Sequence, residues 1–116
     1  MIAYLSGDVI GTGDSHLVVE MGGVGLLVNV PAPISVGVRV GENIHLHTHL
    51  VVREDALILY GFADTGERHV FQQLISVSGV GPNTARLILS ALTSSEVADA
   101  IATENVKLLQ SIKGIE

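Results

Sequence analysis

The sequence has 116 residues, 47% of them hydrophobic, so the chain can bury the core of one ordinary domain or of two very small ones. It has no cysteine, which excludes disulfides, thiol catalysis and cysteine-based zinc sites and is typical of a cytoplasmic protein; it also lacks a signal-peptide pattern and a membrane-length apolar run. Six basic and twelve acidic residues give a net charge of −6, which by itself argues against nucleic-acid binding, because phosphate contacts usually come with a basic surface.

Residues 1–62 consist of short strand patterns separated by breaks at 11–14, 22–23 and 31–33, where glycine and proline predict turns. The predicted strands are Ile2–Ile10, Leu17–Met21, Gly25–Val30, Ile44–Val52 and Ala56–Phe62. In the fourth strand, apolar residues and Thr48 alternate with histidines, so one face should be buried. Five strands within about sixty residues predict a small closed barrel, since closure removes exposed strand edges.

After residue 62 the apolar spacing becomes helical. Three signals predict helix starts: a capping-box pattern at Asp64–Glu67, a proline at Pro82 and a second capping box at Thr93–Glu96. A short fourth helix is predicted over 106–112. We therefore interpret residues 1–62 as a β-barrel and residues 63–116 as an all-α unit.

The segment LISVSGVGPNTARLILSAL, Leu74–Leu92, has the pattern of a helix-hairpin-helix. Gly79 and Gly81 are expected to adopt dihedrals that side chains forbid, and Val80 between them to fill the space between the helices. The second helix begins at Pro82, so its first amides have no partner within the helix. Unpaired amides and the helix dipole together favour an anion, so one DNA phosphate could bind there without a lysine. Such a contact predicts little base specificity.

Further DNA contacts are predicted around this turn and at the end of the chain. Asn83 and Thr84 lie in the first turn of the second helix. Arg86 could reach a neighbouring phosphate, or it could lie on a solvated helix face. A partial second hairpin, LQSIKGIE at Leu109–Glu116, adds Lys113 and Gly114. Its last residue is glutamate where a glycine is expected, so this copy is either degenerate or cut by the end of the chain.

Two longer motifs identify a family. THLVVREDALILYGF (48–62) and GGVGLLVNVP (22–31), followed in order by the GVGP hairpin, resemble the RuvA family of bacterial junction-binding subunits over essentially the whole chain. The resemblance implies an OB-like barrel followed by a helix-hairpin-helix domain. It also implies a third domain, beyond this chain, that binds the motor ATPase RuvB.

The implied function is non-catalytic and requires no cofactor and no metal. Family members bind four-way Holliday junctions as homotetramers, or as octamers on DNA, and support branch migration by RuvB in recombination, repair and the SOS response, with the resolvase RuvC as a further partner. Glu54 and Asp55 match the family's acidic pin, which lies near the junction centre and would repel phosphates; without the resemblance they would be an ordinary polar hairpin tip. Asn83 stands where relatives often have lysine, which weakens one phosphate contact.

Two alternatives remain open. The chain could be a generic OB and helix-hairpin-helix accessory domain of a repair nuclease or ligase, monomeric and without preference for junctions. His45, His47 and His49 alternate on one strand at a spacing that can bind zinc, which would suit a metal enzyme built on the barrel. We interpret the three histidines as an exposed strand face instead.

Overall fold

A computed structural model describes residues 2–103, and in this range the chain forms five strands and four helices. The strands are β1 (Tyr4–Thr12), β2 (His16–Met21), β3 (Val24–Asn29), β4 (Asn43–Val52) and β5 (Leu57–Phe62). The helices are α1 (Ala32–Gly37), α2 (Thr65–Ile75), α3 (Pro82–Ala91) and α4 (Ser94–Ala102). The chain divides into two compact units between Arg68 and His69. The helix predicted over 106–112 and the second hairpin copy lie outside the described residues.

The five strands form a closed barrel in the order β1-β2-β3-β5-β4. Neighbours pair antiparallel except β3 and β5, which pair in parallel through Val28 with Leu59 and Asn29 with Tyr60. This parallel contact closes the barrel, so no edge strand is left to pair with another chain. The prediction of a five-stranded barrel followed by helices is confirmed.

The barrel core comes from the inward positions of the alternating strands. In β4, Leu46 and Thr48 are buried whereas His45 is exposed, as the alternation predicts. The buried core residues are Leu5, Val9, Leu17, Val19, Val28, Val30, Leu46 and Leu59. Burying side chains of this size contributes roughly 1.5–3 kcal/mol each.

The glycine and proline breaks have different outcomes. Gly22 (φ 58°) and Gly23 (φ 87°) form the β2–β3 turn, where a two-residue hairpin favours positive φ at both positions. The break at 31–33, predicted as a turn, instead leads into helix α1, with Pro31 as its N-cap. That interpretation was wrong because a proline in the first helical turn breaks no hydrogen bond. The Ser35 hydroxyl also ties α1 to the barrel by donating to the carbonyl of Asp14 over 2.8 Å.

Side-chain caps start two of the longer helices. The Glu67 amide donates to Asp64 Oδ1 over 2.7 Å at the start of α2. At α4 the Glu96 amide donates to Thr93 Oγ1 over 3.1 Å, and the Thr93 amide donates to Glu96 Oε1 over 3.0 Å. Two of the three predicted helix starts are therefore confirmed by their caps, since each cap satisfies amides that have no partner in the helix. The third is confirmed by α3, which begins at Pro82. Within residues 2–103, none of the helices is long and apolar enough to cross a lipid bilayer.

Candidate nucleic-acid interface

The turn between α2 and α3 is closed by short-range backbone hydrogen bonds. The Val80 amide donates to the carbonyl of Val77 over 3.1 Å. Gly79 has φ +86°, a conformation that glycine adopts freely and side chains rarely do. Gly81 has φ −88° and ψ 171°, ordinary extended backbone. The prediction that both glycines are needed for their dihedrals is therefore correct for Gly79 and wrong for Gly81.

Gly81, at the N-terminus of α3, has open space around its Cα atom. A Cβ atom at this position would meet nothing within 4 Å, so a side chain would fit and would stand beside the helix N-terminus. The Gly81 carbonyl already accepts the first helical hydrogen bond, from the Ala85 amide over 2.9 Å. Neither the backbone dihedrals nor a close contact therefore requires glycine at this position.

The N-terminus of α3 offers backbone donors. Gly81 is the N-cap and provides no side-chain cap, and Pro82 has no N–H to donate. The amides of Asn83 and Thr84 lie in the first turn, where an α-helix has no carbonyl to accept them. With the positive end of the helix dipole they form a place where an anion is favoured.

The side chains predicted to surround this helix end differ in exposure. Asn83 is exposed, whereas Val80, Pro82 and Thr84 are partly buried. Val80 is partly buried, and its place between the helices stays a prediction. Lys113 and Gly114 lie outside the described residues, so the structure does not place them.

Arg86 is buried and contacts Asn83, which the sequence analysis did not predict. Its side chain is only 8% exposed, so the alternative of a solvated helix face is wrong. Its Nε and Nη2 atoms donate to Asn83 Oδ1 over 3.3 and 2.9 Å. Sequence reasoning treated the two residues separately, although their i, i+3 spacing places them on one face of a helix.

The acidic residues Glu54 and Asp55 form the tip of the β4–β5 hairpin. Both are exposed. Val52 ends β4 and Leu57 begins β5, each two residues from the tip; they are paired across the strands and are 68% and 71% exposed. Sequence reasoning missed this apolar pair because the alternation along β4 and β5 does not reveal which end of the hairpin projects from the barrel.

The histidines of β4 contact aromatic and hydroxyl neighbours. The His45 ring stacks on Tyr4 and meets His47 edge-on, with ring centroids 5.0 Å apart in both pairs, and Ser6 Oγ lies 2.5 Å from His45 Nδ1. Burial lowers the pKa of His49, and the charge of Arg68 adds to the lowering. In the part of the chain that the structure describes, no group of three or more histidine, cysteine or acidic side chains could hold a metal ion.

Comparison with known proteins gives two family matches and many relatives. The family described as RuvA N terminal domain matches residues 1–61, and the SAM-like helix-hairpin-helix tandem family matches residues 71–116. Similar proteins named Holliday junction branch migration complex subunit RuvA are 47% identical in Chloroflexus aggregans and 44% identical in Christiangramia forsetii and Neisseria meningitidis. Each alignment covers 99% of this chain and 60% of the relative, so the chain spans about 60% of the length of these proteins.

Proposed function

Because the chain belongs to the RuvA family, as the match over residues 1–61 shows, we propose that it is a structure-specific, non-catalytic subunit that binds four-way DNA junctions. In this role it would hold the junction open while a partner ATPase moves the DNA. The observation that carries the proposal is the N-terminus of α3, where two backbone amides and an open glycine lie on a helix that follows a positive-φ glycine turn.

The net charge of −6 argues against nucleic-acid binding through basic side chains, but a phosphate at the α3 N-terminus needs none. A phosphate held there interacts with backbone amides and the helix dipole, neither of which appears in a count of lysines and arginines. Such contacts hold the sugar-phosphate backbone and read no base edges. Binding through this site would therefore depend on the shape of the DNA and tolerate any sequence.

The acidic hairpin tip supplies the preference for a junction. Exposed carboxylates repel phosphates, so Glu54 and Asp55 disfavour a continuous duplex laid across them. At a junction centre, where four strands part, the same charges would keep the strands separated and direct them into different arms. Four subunits arranged around that centre would multiply the effect.

The assembly and partners complete the proposal. The subunit would form a homotetramer, or an octamer on DNA, in the cytoplasm, and act in recombination and repair. The part of the relatives' length that this chain does not span would carry the contact with the motor ATPase RuvB, and RuvC would be a further partner. ATP hydrolysis would belong to RuvB. The division into a barrel over 1–62 and a DNA-binding helical domain over 63–116 is part of the same proposal.

A gel-shift titration with a synthetic four-way junction and a duplex of equal length tests this function. At low salt and with magnesium, we expect clear preference for the junction, and light scattering should give a tetramer. A monomer that binds both DNAs equally would favour the generic accessory domain. Absence of binding to either DNA would refute the proposal for this chain.

A further inference from the structure

The buried arginine of α3 has a role that its position in the sequence does not suggest. We propose that Arg86 is a positioning residue: it holds the Asn83 side chain so that the Nδ2 group donates to the phosphate at the α3 N-terminus, and it does not contact DNA itself. This inference rests on the proposed function, because it assigns a role at the same phosphate site.

The contact between the two side chains determines how the amide is oriented. A guanidinium has only donors, so the atom that faces it must be the acceptor of the amide. Two donors of Arg86 converge on that one atom, Asn83 Oδ1, at 3.3 and 2.9 Å. Reversing the amide would place donors against donors, so the guanidinium selects one of its two orientations.

The selected orientation leaves the donor half of the amide available. Asn83 is exposed, and its Nδ2 group donates to no acceptor among residues 2–103. Asn83 is the second residue of α3, in the same turn as the backbone amides described above. A phosphodiester oxygen only accepts hydrogen bonds, so an NH₂ group kept in this state suits it and an amide oxygen would not.

The arginine charge also acts through the amide. A hydrogen bond from a charged donor is stronger than a neutral one, and it polarises the group that accepts it. Polarisation of the Asn83 amide makes its N–H groups better donors. With 8% of its surface exposed, the Arg86 side chain has little access to solvent and to a DNA backbone, so its charge reaches the phosphate indirectly.

Salt dependence separates this role from a direct phosphate contact. Each phosphate neutralised by a side-chain cation contributes about −0.9 to the slope of log affinity against log salt for duplex DNA. Arg86→Gln removes the charge but keeps an amide donor that can reach Asn83. We expect junction affinity within about threefold of the unchanged protein and an unchanged slope. A slope that becomes less steep by about 0.9 would show a direct contact and overturn the inference.

A double-mutant cycle tests the coupling. Asn83→Ala should lower junction affinity about tenfold, the size of one hydrogen bond to a charged group. Arg86→Met removes the charge and the donors. It should lower junction affinity by a similar factor when introduced alone, and should not lower it further when combined with Asn83→Ala. Equal losses in both backgrounds would overturn the inference.

Asn83→Asp gives a test that keeps the contact with Arg86. The carboxylate accepts from the guanidinium at least as well as the amide does, so the helix should remain folded. It has no donor for phosphate and adds a negative charge, so binding should fall more than in Asn83→Ala. Urea unfolding of every variant checks the fold. If Arg86→Met does not fold, two measurements still test the inference. A less steep salt slope in Arg86→Gln, or an Asn83→Asp variant that binds the junction as well as the unchanged chain, would overturn it.

These experiments distinguish the two proposals. If the unchanged chain binds neither DNA, the proposed function fails. If it prefers the junction while Asn83→Ala binds as well as the unchanged chain, the function stands and the role of Arg86 is refuted. If Arg86→Met lowers stability without lowering junction affinity, the contact is purely structural and the role of Arg86 is also refuted.

Discussion

The Arg53 amide donates to the carbonyl of Ala56 over 2.9 Å, and this bond closes the β4–β5 hairpin around a tip of only two residues. Those two residues are Glu54 and Asp55. The bond joins the two residues that flank the tip, so both carboxylates lie beyond the last paired residues of the two strands, Val52 and Leu57. A longer loop with the same composition would not fix the position of its carboxylates in this way.

Neutralising the tip should weaken discrimination between DNA structures. In Glu54→Gln/Asp55→Asn we expect tighter duplex binding and a several-fold lower ratio of junction to duplex affinity, because the repulsion of phosphates is lost. Stability should change by less than about 0.5 kcal/mol, since both side chains are exposed. Gel-shift titrations with both DNAs measure the ratio.

A control variant with the same change in net charge shows whether the effect on binding depends on where the removed charges lie. Asp14→Asn/Glu20→Gln removes the same number of charges at exposed positions elsewhere on the barrel. It should strengthen binding to both DNAs alike and leave the ratio unchanged. If both double variants alter the ratio equally, the tip has no special role.

The two hairpin glycines should respond differently to alanine. Gly79→Ala places a side chain at φ +86° and should lower the free energy of unfolding by about 1–2 kcal/mol. Gly81→Ala adds a methyl group to open space at ordinary dihedrals and should leave stability nearly unchanged. Urea unfolding followed by circular dichroism measures both. Equal destabilisation would mean that Gly81 also has a structural constraint.

Gly61 in β5 should tolerate no side chain. A Cβ atom there would lie 2.7 Å from Val28 Cγ1 and 3.0 Å from Leu46 Cδ1, inside a closed barrel that cannot easily expand. We expect Gly61→Ala to cost about 1–3 kcal/mol through overpacking. Gly25→Ala in β3 is the control, because its nearest contacts would be at 3.6 and 3.7 Å. Thermal unfolding should show a lower Tm for Gly61→Ala only.

Glu67 should make stability depend on pH in an unusual direction. Among residues 2–103, no group donates a hydrogen bond to its buried Oε1 atom. Burial raises the pKa of the carboxyl above its ordinary value of 4.5; the charge of Asp64 adds to the increase, and a backbone hydrogen bond at Ala63 opposes it. Between the ordinary and the raised pKa, the folded state binds more protons than the unfolded state. Its contribution to stability is therefore lost as pH rises through this window.

Glu67→Gln isolates that contribution. The variant should be more stable than the unchanged chain at pH 7, and the difference should disappear below pH 4.5, where both side chains are neutral. Urea unfolding at a series of pH values from 4 to 8 measures it. A difference that does not change with pH, or a less stable variant at pH 7, would contradict the prediction.

Local chemistry accounts for the features that were predicted correctly. The cap at Thr93 and the glycine turn at Gly22 each depend on residues within a few positions, so they can be read from sequence. The missed helix α1 is also local, but a proline near a helix start and a proline in a turn have the same sequence pattern. Arg86 was missed for another reason: an arginine on a short amphipathic helix is usually solvated, and burial depends on what packs over it.

The sequence by itself determined the order of the five strands and of the three longer helices, the starts of those helices, the alternation that buries one face of β4 and the family, because each depends on the spacing of neighbouring residues. The tertiary structure decided which strands meet, since the parallel pair of Val28 and Leu59 joins residues far apart in the chain. It also decided the burial of Arg86 and the open space at Gly81. These properties depend on the surroundings of a residue in three dimensions, and no local pattern encodes them.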